Sequence, residues 1–129
     1  MERERPKEVR SMKKVLWVSR HEMTPEQRAD LDRIMGGAQL LPWQETVTDV
    51  ARLAPLVRRA DAVAAVLPPE LLEKLLALAQ GKPVLCAVNQ RRATGRFRIL
   101  PDGRREQEFA YVHGGWEQLL RLDIQKRRL

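Results

Sequence analysis

Apolar side chains along this chain arrive in short dense runs, and between the runs they recur every third or fourth residue. Lys14–Val18 (KVLWV) is a continuous run of the kind that builds a strand buried on both faces. Residues 61–67 (DAVAAVL) and 82–89 (KPVLCAVN) repeat the pattern, and residues 38–43 (AQLLPW) form a shorter extended piece. The intervening segments read as helices. Thr24 stands where an N-cap is needed, Pro25 takes the first helical position, and Gln27 at the third completes a capping box. Leu31, Ile34 and Met35 follow at helical spacing until Gly36-Gly37 stops the helix. Residues 46–60 place Val47, Val50, Leu53, Ala54 and Val57 on one face, and Pro55 inside that pattern should kink or shorten the helix. Pro68-Pro69 opens a third helical segment, PELLEKLLALAQ, which Gly81 ends.

Strand–helix alternation carried through four strands predicts a parallel sheet covered by helices through right-handed crossovers. The expected fold class is α/β: a minimal Rossmann-like three-layer fold with a mainly parallel sheet and a C-terminal β-hairpin. The hairpin comes from the change of rhythm after residue 89, where Pro101-Asp102-Gly103 forms a turn between Phe97–Leu100 and Glu108–Val112. The tail supports two patterns. Trp116, Leu119 and Leu120 suit a helix, whereas Leu120, Leu122 and Ile124 alternate as in a strand, which favours a strand over 119–125. Residues 1–12 mix charges without an apolar segment. They read as a disordered N-terminal segment and not as a signal peptide, leaving 13–129 as one domain.

Composition narrows the partners. The 129 residues carry a net charge of +7, which favours an anionic partner such as a nucleotide, a nucleic acid or a membrane surface. No apolar run reaches the ~18–20 residues of a membrane span, so no membrane partner is expected. Cys86 is the one cysteine. A disulfide within the chain and a cysteine zinc site are therefore excluded, a reducing cytoplasm fits, and Cys86 reads as a small buried hydrophobe. Two histidines without matched carboxylates predict no metal site. Neither G-x-G-x-x-G nor G-x-x-x-x-G-K-[ST] is present, so no NAD or ATP cofactor is expected. Trp17, Tyr111, Phe97 and Phe109 read mainly as core, with Trp43 and Trp116 as candidate base-stacking rings.

Open parallel sheets bind ligands beyond the C-terminal ends of their strands. The first strand is followed there by Ser19, Arg20 and His21 and then by a helix N-terminus; the fourth is followed by Asn89, Gln90, Arg91, Arg92, Thr94 and Arg96. Both stretches are rich in groups that bind phosphate, and both read as loops on one edge of the sheet.

The stretch WVSRHEMTPEQ, followed by an α/β domain that ends in HGGWEQLLRLDI, resembles the small stand-alone accessory proteins of type III CRISPR systems related to the CARF-domain ring nucleases. The match covers residues 14–27 in motif and the remainder in architecture. The resemblance implies a homodimer that binds a cyclic oligoadenylate, the four-membered ring first among them. It also implies metal-independent cleavage by attack of a ribose 2′-hydroxyl on the adjacent phosphorus. Carried onto this chain, Ser19 would hydrogen-bond a phosphate oxygen, Arg20 would neutralise the transition state, and His21 would act as general acid or base or contact a base. Asn89, Arg91, Arg92 and Thr94 would complete the cradle. Two alternatives stay open: a sponge or sensor that holds the ring without cutting it, and a basic accessory subunit that binds RNA or DNA.

Overall fold

The computed structural model describes residues 12–129, so most of the segment expected to be disordered lies outside the described residues. The elements follow in the order β1 (Lys13–Val18), α1 (Pro25–Met35), β2 (Ala38–Trp43), a 3-10 turn (Val50–Leu53), α2 (Ala54–Arg59), β3 (Ala62–Ala65), α3 (Pro69–Ala79), β4 (Val84–Ile99) and β5 (Arg105–Gln118). They form one five-stranded sheet in the order β2-β1-β3-β4-β5. β1 pairs in parallel with β2 and β3, β3 in parallel with β4, and β5 lies antiparallel on β4. This is the expected α/β architecture, a small Rossmann-like sheet with helices on both faces.

Local chemistry explains the boundaries. Thr24 Oγ1 accepts from the Gln27 amide at 3.1 Å, and Gln27 Oε1 accepts from the Thr24 amide at 3.0 Å, so the capping box is complete. α1 ends at Gly36, whose φ of 71° is left-handed. Pro55 shortens the next helix. The backbone enters as a 3-10 turn capped by Asp49, and α2 begins with the proline in its first turn. Lys82 Nζ donates to the carbonyls of Val57, Arg58 and Ala60 at 2.8, 3.1 and 2.8 Å, satisfying the last carbonyls of α2. Pro42 is tolerated in β2 because that strand is the sheet edge.

The two faces are packed differently. Leu16, Val18, Val63, Ala65 and Val84 face the 3-10 turn, α2 and α3, with Leu53, Val57 and Leu75 filling the layer. Val15, Trp17, Ala62, Ala64 and Leu85 face the other way, where α1 supplies Leu31 and β5 supplies Trp116. Trp17 and Trp116 meet edge to face at 6.0 Å. Their indole nitrogens donate to the carbonyls of His21 and Gln27, each at 3.0 Å, so both rings are structural and the stacking role considered for Trp116 is taken by the core.

Two expectations need correction. The fourth strand does not stop at residue 89 but runs on to Ile99, so the residues expected in a loop are part of a β-ribbon with β5. There is no strand over 119–125. β5 ends at Gln118, because its antiparallel course brings it to the N-terminal end of β4, where the Leu119 amide donates to Val84 O. No β4 backbone lies beyond that point, so the tail leaves the sheet. It crosses to α3, where the Ile124 amide donates to Glu73 Oε2 and Lys126 pairs with Glu70.

Candidate functional site

β2 and β3 lie on opposite sides of β1, so the crossovers diverge there and leave a crevice at the C-terminal ends of β1 and β3. A cleft of about 170 Å³ occupies it. Val18, Val47, Val66, Leu67 and Leu71 line it with apolar surface, and Ser19, Arg20, Glu45, Thr46 and Pro68 bring its polar groups and rim. Such a volume suits a phosphate with part of a sugar and is below the ~300 Å³ of an ordinary small-molecule pocket.

The Ser19-Arg20-His21 turn is built by its own backbone. The Ser19 amide donates to Trp43 O at 3.1 Å, holding it to β2 as β1 ends. Ser19 is only 6% exposed, and its Oγ accepts from the His21 amide at 3.1 Å. This is a hydroxyl-capped turn, and it leaves the Ser19 proton free to donate. Arg20 is exposed, lines the cleft and takes part in no ion pair among the described residues. His21 has an exposed side chain, but the cleft lining does not include it.

The second predicted cluster is not brought to the cleft. Asn89 opens the exposed part of β4, two strands from β1 and so roughly 10 Å from it across the sheet. At ~3.3 Å per residue, Thr94 and Arg96 stand up to roughly 15–25 Å farther out along the ribbon. Gln90 accepts from Arg92 at 2.9 Å, Arg91 stacks on Phe109 at 3.8 Å, and Thr94 leans on Glu108 within a β-bulge. These side chains satisfy one another on the ribbon and do not form a loop beside Ser19.

A second concavity lies on the α1 face, between the first turn of α1 and the base of the ribbon. Thr24, Glu26, Gln27, Asn89, Tyr111 and His113 line it. His113 Nε2 sits 2.9 Å from Asp30 Oδ2. An ionised carboxylate only accepts, so Nε2 carries a proton, while Nδ1 is buried without a hydrogen-bond partner among the described residues. The hydrogen bond to His113, then that to Arg33, holds the Asp30 carboxyl below its ordinary range. Cys86 is half-buried on β4. Burial, then the charge of Glu117 opposite it, pushes its thiol up, away from the nucleophilic thiolate. No three His, Cys, Asp or Glu side chains gather as for a metal among the described residues. No helix there is long and apolar enough to cross a membrane.

Two groups of residues escaped the sequence reading. Glu45 and Thr46 follow β2 and reach the same edge, as a parallel sheet requires, yet they carry no motif. Phe97, Phe109 and Tyr111, expected in the core, are 53, 40 and 73% exposed. Comparison with protein-family models, with curated proteins and with solved structures found no match.

Proposed function

We propose that this protein is a ring nuclease that binds a cyclic oligoadenylate, cyclic tetra-adenylate foremost, and opens it without a metal. The observation that carries the reading is a buried serine hydroxyl beside an arginine with no ion pair among the described residues, at the switch point of a Rossmann-like sheet. The WVSRHEMTPEQ resemblance supports it, because Ser19 and Arg20 of that stretch line the cleft, beside Glu45 and Thr46. A cleft of about 170 Å³ takes one phosphate and part of its sugar, so one protomer engages only a fraction of a four-nucleotide ring. A homodimer with its strand ends facing each other would supply two clefts around the two-fold axis of the ring.

In this scheme Ser19 donates to a non-bridging phosphate oxygen and Arg20 neutralises the charge that grows on the phosphoryl group. The ribose 2′-oxygen forms a bond to the adjacent phosphorus as the bond to the 5′-oxygen breaks. The 2′-hydroxyl gives up a proton and the leaving 5′-oxygen gains one, with His21 close enough in sequence to the turn to serve either transfer. The product is a linear adenylate ending in a 2′,3′-cyclic phosphate. Positioning and charge stabilisation carry such a reaction.

The test is incubation of the purified protein with labelled cyclic tetra-adenylate in EDTA, followed by native and denaturing separation. Linear products that vanish in Arg20→Ala, with binding largely retained, are the expected result. A shifted but intact ring assigns the cleft to a sponge or sensor. Absence of both binding and cleavage for every ring size overturns the reading.

A further inference from the structure

Past Asn89 and His113 the β4–β5 ribbon leaves the body, with only Tyr111 and Val112 at its base still bordering the first turn of α1. Its residues are exposed on both faces from Asn89 to Ile99 and from Arg105 to Val112. Over that length it extends ~33 Å at ~3.3 Å per residue.

Register and alternation sort its side chains. Directly opposed residues share a face, so one face carries Asn89, Arg91, Phe97, Ile99, Arg105 and Phe109, with Tyr111 opposite Arg91. The other carries Gln90, Arg92, Arg98, Glu106 and Glu108. Contacts confirm the sorting. On the first face Arg91 lies 3.8 Å over Phe109 and Arg105 lies 4.5 Å over Phe97. On the second, Arg98 pairs with Glu106 at 3.0 Å and Arg92 donates to Gln90. Both strand carboxylates are therefore on one face. The other combines half-exposed aromatic rings, Ile99 at 74% exposure and two guanidinium groups with no acidic partner among the described residues.

We infer that this aromatic and cationic face is a binding platform for single-stranded nucleic acid. Bases stack on exposed rings irrespective of sequence, and arginines beside the rings meet the phosphates. The stacked guanidiniums cover one side of Phe97 and Phe109, and the residues stay 53 and 40% exposed. A second copy of the ribbon is a poorer occupant. A face ~33 Å long and two strands wide covers ~300 Å² per partner, well under the ~800 Å² of a stable interface. Its charges would also repel their own copies. A duplex hides the base faces that the rings would stack on.

The test is fluorescence anisotropy of a labelled single-stranded RNA of about twelve nucleotides, titrated with the full chain. Saturable binding that weakens about tenfold for a fourfold rise in salt is expected for two to three phosphate contacts on a single strand. Tyr111→Ala and Phe97→Ala each weaken it about tenfold, and Arg98→Ala on the opposite face changes it about twofold or less. A chain in which Asn-Gly replaces residues 93–109, joining the opposed pair Arg92 and Ala110, keeps the body and loses the binding. The inference is overturned by any of four results. These are no binding at low salt, a duplex that binds as tightly, Arg98→Ala weakening binding as much as Tyr111→Ala, or a dimer that Tyr111→Ala dissolves.

Discussion

In β4, Val84 and Leu85 are closed in on both sides of the sheet, while Ile99 near the far end of the same strand is 74% exposed. The first part is held by burial: Val84 packs with Leu75 and Ala79, and Leu85 with Trp17 and Leu31. The second is held by its ladder to β5, by arginine–aromatic stacks and by the Pro101-Asp102-Gly103 turn, where Gly103 N–H donates to Leu100 O at 2.9 Å with a φ of 86°. A two-stranded ribbon alone is marginal in water. This one is anchored because its two strands continue into the sheet and because His113 and Trp116 dock its base on α1. A strand can thus be structural at one end and presented to a partner at the other.

Substitutions should separate the two regions sharply. Leu16→Ala, at a fully buried position in β1, is expected to cost about 2–5 kcal/mol, read as a fall in the urea midpoint. Gly115→Ala tests the junction. Gly115 has a φ of 119°, in a region nearly closed to other residues, and should cost about 1–3 kcal/mol by the same measurement. An unchanged midpoint there would mean that the junction relaxes and the ribbon is not rigidly aimed.

Acid should loosen the anchor next. The Asp30 carboxyl is held below its ordinary value by His113 and Arg33. Its contribution is therefore complete above the ordinary pKa of about 4 and is lost as pH falls through the lowered one. Asp30→Asn should flatten the loss of stability below about pH 4. A wild-type slope in that variant would remove the pair from the account. Ile99→Ala should be smallest, within about 0.5 kcal/mol, since nothing packs over it. A larger loss would show that the ribbon face is covered by something in solution.

Much of the fold was legible residue by residue. The capping box at Thr24 and Gln27, the Gly36 stop, the shortening at Pro55 and the hairpin turn at Gly103 are all settled within four or five residues. The buried strands announced themselves because both faces must be apolar. The turn Ser19-Arg20-His21 was placed at the correct edge of the sheet, though the hydroxyl's contact with the His21 amide was not foreseen. The run Asn89–Arg96 reads as a loop because an exposed strand has no buried face and so shows no apolar alternation. One signal existed. The pairing that starts at Ile99 and Arg105, followed outward from the turn, continues across a bulge to Asn89 and His113.

By itself, the sequence determined the order of the first four strands and the helices between them, their caps and turns, and the burial of Val15–Val18, Ala62–Ala65 and Val84–Leu85, since these depend on neighbours within a helical turn or a strand period. Tertiary structure decided that β4 outlives the sheet, that Arg91 and Arg105 share a face with the aromatics, and that Ser19 and Arg20 meet Thr46 and Leu67 at one cleft. Each of these rests on pairing between residues far apart in the chain, and without burial no local pattern records it.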